Sequence, residues 1–225
     1  MASFGIMASL WRNPGDLWRS AIALVRTRRE TAPIDSVAKL QEFIATRSAY
    51  IAQKTLYGYV KTRMGAHYPA MFEDKNIIAS LNIAKVQMFV ACLSDLTVYA
   101  VATALQENDT AKGAHVALAR HCYVDSLRRN TEDAPEQFSA QDCIEEFEQR
   151  LALTDWLDLG RQLEAFSYSP RALVRWAPIE EKLKRLDREV IENSVKFGWR
   201  DIRDQFRRRL DAAAVAADWA RRSKD

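Results

Sequence analysis

A chain of 225 residues, 48% hydrophobic and with a net charge of +3, can bury a sizeable core as one large helical domain or as a domain with appendages, and one domain is the expectation. Only 7 Gly and 6 Pro leave an all-β or Rossmann-like fold short of the turn residues it needs at every corner. Three cysteines, Cys92, Cys122 and Cys143, are odd in number and outside metal-ligand spacing, which fits reduced thiols in an intracellular protein better than a disulfide framework.

The first eleven residues lack the basic n-region and small-residue cleavage pattern of a secretory signal, although five Arg against one acid in residues 1 to 29 also suit a transit-type leader. Asn13-Pro14 reads as a cap followed by Pro at the first helical position, opening a helix to about Arg28. Leu17, Trp18, Ile22 and Val25 fall on one of its faces, with Arg19 and Arg26 on the other. With Trp11 and Trp18 near its start, that is the composition of an interfacial anchor or a docking helix. The expected division is therefore an amphipathic N-terminal helix in residues 1 to 30 and a helical bundle domain in residues 31 to 225.

Asp35 or Ser36 caps a second helix that needs no break until Gly65. A third runs from about Asp74 to Gln106, so the two form a long antiparallel hairpin. Thr110 to about Arg129 makes a fourth. Ser139 caps a fifth, with acids in its first turns. Ser169-Pro170 starts a short helix, and Pro178 resets the chain into a last long helix from about Ile179 past Leu210. No stretch sustains β alternation. The expected fold is all-α, a bundle of about six helices around the hairpin.

Residues 86 to 105 carry one formal charge, Asp95. Their polar residues scatter around the helical wheel, so this helix is expected to be buried on nearly all sides. A carboxylate mid-span costs about 3 kcal/mol even on the lenient insertion scale, and a core helix is preferred to a membrane span. Ser80, Ala84, Gln87, Ala91, Ser94, Val98 and Ala102 form a stripe of small or mildly polar residues suited to close helix approach.

Several chemistries lack their motifs. Gly-x-Ser-x-Gly, the phosphate loop and Gly-x-Gly-x-x-Gly are all missing, which removes nucleophile-elbow hydrolysis and nucleotide binding through those loops. None of His67, His115 and His121 follows a Glu by three residues, against a ferritin-like di-iron site. No metal or other cofactor is expected. Asp95 is the best single candidate for catalysis, because an unpaired carboxylate in an apolar helix has a raised pKa. Tyr99, His121 and Lys85 are its candidate helpers, while the structural alternative is an ion pair holding the bundle in register. His121 and Asp125, one turn apart, read more simply as a structural pair.

In the second helix, Phe43, Tyr50, Tyr57 and Met64 recur every seven residues, with Arg47, Lys54 and Lys61 four residues after the first three. Such stripes could stack bases and track phosphates, but a bundle seam with basic side chains along its edge is preferred, and nucleic acid is disfavoured as a partner. The cluster RDIRDQFRRR, residues 200 to 209, reads as a solvated ion-pair face.

The segments FIATRSAYIAQKTLYGYVKTRMGAHYPAMFED and SLNIAKVQMFVACLSDLTVYAVA resemble a family of uncharacterised alphaproteobacterial helical proteins, members of which are sometimes labelled esterases. The resemblance implies a bacterial, intracellular protein built on the helical hairpin, and it carries over no catalytic residue. Ten acids against Arg150 and Arg161 in residues 130 to 165, and eight bases against five acids in residues 199 to 225, make the chain dipolar. The expected function is a non-enzymatic scaffold or assembly-type protein in the cytoplasm. It would bind a protein partner, act at the anionic inner face of a membrane, or self-associate.

Overall fold

A computed structural model describes residues 31–68, 73–106, 112–156 and 165–223. The described residues form seven α-helices and no strand: α1 Val37–Met64, α2 Lys75–Leu105, α3 Lys112–Asn130, α4 Ala140–Leu153, α5 Tyr168–Trp176, α6 Glu181–Arg209 and α7 Ala212–Arg222. The N-terminal helix expected over residues 13 to 28, and with it Trp11, Leu17, Trp18, Arg19, Ile22 and Arg26, lies outside the described residues.

Local chemistry sets most boundaries. The Ser36 side chain accepts from Lys39 N at the start of α1, and Gly65 ends that helix at φ 53, a left-handed conformation that favours glycine. Asp74 accepts from Asn76 N and Ile77 N to open α2, and Ser139 accepts from Asp142 N to open α4. Each satisfies amide groups that have no partner within their own helix.

The helix expected to run past Leu210 instead divides into α6 and α7. Ile34 N donates to Arg209 O at 2.7 Å and Asp211 N to Ile34 O at 2.9 Å, so a backbone bridge from the start of the described chain holds Leu210 extended. Asp211 then caps α7 through Ala214 N. From α7, Asp218 accepts from Val37 N at 3.0 Å, a carboxylate brought to the N-terminus of α1 from the far end of the sequence.

α1 and α2 form the expected hairpin, and α3, α5, α6 and α7 pack around it. α2 is the central element. Among the described residues one helix, α2, is long and apolar enough to cross a membrane, and 83% of its most apolar window is buried inside the bundle. Leu93, Leu96, Val98 and Val101 are fully buried, and such side chains contribute roughly 1.5 to 3 kcal/mol each. The small-residue stripe is buried only in part: Ala84, Ser94, Val98 and Ala102 are buried, while Ala91 and Gln87 are half-buried and Ser80 is exposed. A close approach lies elsewhere, at Gly198 of α6, where an added Cβ would meet Ile51 Cδ1 of α1 at 3.3 Å.

Candidate functional site

Asp95 is fully buried, and each of its oxygens is taken. Oδ1 accepts from Arg150 Nη1 at 2.8 Å and Tyr168 N at 3.2 Å. Oδ2 accepts from Ser169 N at 2.8 Å and Ser169 Oγ at 2.7 Å. Those four bonds fill the lone-pair sites of an ionised carboxylate. The two amides belong to the first turn of α5, whose next residue is Pro170, with no N–H to satisfy. Asp95 therefore caps α5 from α2, its negative charge at the positive end of the helix. Ser169-Pro170, expected to be the cap and first position, lies inside that turn because the Ser169 hydroxyl faces Asp95, and α5 begins one residue before it.

Arg150 completes the cluster. Its Nη1 also donates to Ser94 Oγ at 2.7 Å and its Nη2 to Ala165 O at 2.7 Å, and its guanidinium lies 4.1 Å from the Tyr168 ring centroid. Trp199 Nε1 donates to Ser169 Oγ at 2.9 Å. One polar network thus ties α2, α4, α5 and α6 together. Burial pushes the Asp95 carboxyl above its ordinary value, while the Arg150 guanidinium and the Ser169 donors pull it back. Burial, then the Asp95 charge, drives the neighbouring Cys92 thiol upward, away from nucleophilic use.

The helpers named for Asp95 do not join it. Tyr99 is fully buried against Phe166 and Phe206 at centroid distances of 5.2 and 6.0 Å, with the Arg203 guanidinium 5.4 Å from its ring. The Tyr99 hydroxyl has no hydrogen-bond partner among the described residues. His121 packs in a tilted pair against Trp219 with centroids 5.7 Å apart, while Asp125 accepts from Gln41 and from Arg129. Lys85 is buried, which lowers its pKa to about 8. His121 also lines a shallow cleft of about 400 Å³ with Ala117, Arg120, Val124, Asp125 and Arg128, where Arg120 is paired with Glu148 at 2.8 Å. No group of three His, Cys, Asp or Glu side chains able to hold a metal ion occurs among the described residues.

The paired stripes of α1 are separated by depth. Phe43 is buried and packs against Phe206 in a tilted pair with centroids 5.3 Å apart. Tyr50, Tyr57 and Met64 are half-buried against the core, and burial drives the Tyr57 phenol well above its ordinary value. Arg47 is buried and donates through Nε to Gln205 Oε1 at 3.2 Å. Lys54 and Lys61 are exposed, Lys54 lying 5.5 Å from the Tyr50 ring centroid. These positions are those of a seam with a basic edge. RDIRDQFRRR is likewise not a purely solvated face, since Ile202 and Phe206 are core residues and Arg203 covers Tyr99.

The feature that sequence reasoning missed is on the outside of α6. Leu186, Val190 and Phe197 are 74%, 71% and 69% exposed, whereas Ile191, Val195, Trp199, Ile202 and Phe206 of the same helix are buried. At about 100° per residue the three exposed side chains fall within a narrow arc opposite the buried row. Sequence spacing does carry the signal: Leu183, Leu186, Val190, Asn193 and Phe197 alternate steps of three and four, the a/d pattern of a helix seam. Comparison with protein-family models, curated proteins and solved structures finds no match to this chain.

Proposed function

We infer that this chain is a non-enzymatic helical scaffold that binds a protein partner through the outward face of α6. The observation that carries the reading is the row of three large apolar side chains standing in solvent on a helix whose inner face is fully packed. Isolated exposed apolar residues are ordinary, but a row at seam spacing marks a binding surface. The buried centre supports the same reading, because Asp95 has no acceptor site left for a substrate proton and its partners are structural. A photo-crosslinking residue at position 190, in the full-length chain and its native host, is expected to yield a discrete protein adduct. A chain that gives none there, while a control residue on α3 behaves identically, overturns the reading.

Action at an anionic membrane surface remains the part of this proposal that rests on the composition of residues 1 to 30. Flotation of the full-length protein with anionic vesicles at low salt is the test, with loss of flotation expected on deleting those residues. A protein that stays wholly in the soluble fraction removes the membrane from the proposal.

A further inference from the structure

The outward row of α6 also carries information about what covers it. With Leu183, Val190 and Phe197 at a and Leu186 and Asn193 at d, the flanking g positions are Lys182, Glu189 and Lys196, and all three are exposed. In an antiparallel helix pair, a meets d of the partner and g meets g. A two-fold register that sets Phe197 against Leu186 of a second copy sets Val190 against Asn193, and both contacts occur twice. The same register places Glu189 beside Lys196 of the other copy, again twice. The same register sets Leu183 against Arg200 at each end of the seam, so the self-complementary part, which an isologous two-fold contact repeats, is the central Leu186–Phe197 and Glu189–Lys196 contacts. A parallel pairing of the same face instead stacks Arg200 on Arg200 and Asp204 on Asp204 along its axis, with like charges in contact.

We propose that α6 is the interface of an antiparallel homodimer, in which Leu186, Val190 and Phe197 of one copy pack on the same row of a second copy, flanked by Glu189–Lys196 ion pairs. This rests on the reading of the α6 exterior as a binding face and names its occupant. The seam is short, about five turns between residues 183 and 200, but the helix is already ordered by its inner face, so association bears little of the ordering entropy that a free peptide would.

Sedimentation of the full-length protein over a roughly hundredfold range of concentration tests the dimer by mass action. The wild type is expected to shift from monomer to dimer and Phe197→Glu to stay monomeric. Glu189→Lys is expected to weaken association, with recovery in Glu189→Lys/Lys196→Glu. Cysteine variants report direction. Residue 186 lies about 16 Å along the axis from its own counterpart in the antiparallel register, beyond disulfide reach. Leu186→Cys alone and Phe197→Cys alone should therefore not cross-link, whereas an oxidised mixture should. A wild type that is monomeric throughout, a dimer indifferent to Phe197→Glu, or self-linking of Leu186→Cys alone overturns the proposal. A position-190 adduct that contains only a different protein overturns the second copy as occupant and leaves the α6 face as a binding surface.

Discussion

The surroundings of Asp95 and the outer face of α6 break opposite rules of protein surfaces. The first buries a carboxylate and a guanidinium, and the second exposes a leucine, a valine and a phenylalanine. At Asp95 the violation is compensated locally, since both carboxylate oxygens are saturated within one network that joins four helices. On α6 nothing within the described fold compensates it. A buried polar group with all its partners belongs to the architecture, whereas an apolar row without partners among the described residues has the character of a binding surface.

The largest expected effect lies in the buried network. Arg150→Met leaves the Asp95 charge enclosed and should cost about 3 to 5 kcal/mol in urea unfolding, and Asp95→Asn/Arg150→Met should cost less than the sum of the single changes because the two act on one pair. If Arg150→Met is nearly neutral, the network is not what orders this part of the fold. Ser169→Ala removes a donor to Asp95 and the acceptor for Trp199 Nε1, and should cost about 1 to 3 kcal/mol in the same assay.

Alkaline pH separates interior from surface by a different route. Burial raises Cys122 to about 12 and Cys143 to about 11 from an ordinary 9.0. The unfolded chain therefore loses these thiol protons first, so their contribution to stability is complete below pH 9 and is lost as the pH rises toward 11 and 12. Lys85, held near 8 against 10.5, acts in the opposite sense between those values. Cys122→Ala should flatten the fall in stability above pH 9 relative to the wild type, measured by urea titration at each pH. An unchanged slope would place Cys122 outside the titrating set.

The smallest effects distinguish two helical glycines. Gly58 has open space where a Cβ would sit, while Gly198 faces Ile51 at 3.3 Å. Gly58→Ala should gain about 0.5 to 1 kcal/mol from helix propensity, and Gly198→Ala should gain less because Ile51 must shift. Equal gains would show that α1 and α6 do not approach closely there.

Much of this architecture was legible because its determinants are local. Ser36, Asp74 and Ser139 cap the helices that their side chains predict, and Gly65 ends α1 where expected. The division at Leu210 was not, since it depends on backbone bonds to Ile34, a residue far away in sequence, and no Gly or Pro stands next to Leu210. Asp95 stood out as a charge in an apolar helix, but its partner Arg150 lies on α4 and Ser169 resembled an ordinary cap. One clue to Arg150 was present, a rare base in an acidic segment. On α6 the outward seam was obscured by the inward one, because both faces of the helix carry apolar residues.

The most direct test of the contrast between a structural interior and an associating exterior is the urea midpoint of wild type and Phe197→Glu at several protein concentrations. Wild type is expected to gain stability with concentration, as a dimer must, and Phe197→Glu to be concentration-independent. At the lowest concentration their unfolding free energies should agree to within about 0.5 kcal/mol, as for an ordinary surface substitution. A Phe197→Glu midpoint lowered equally at every concentration, or a wild-type midpoint that never moves, would contradict the assignment of the α6 face to association.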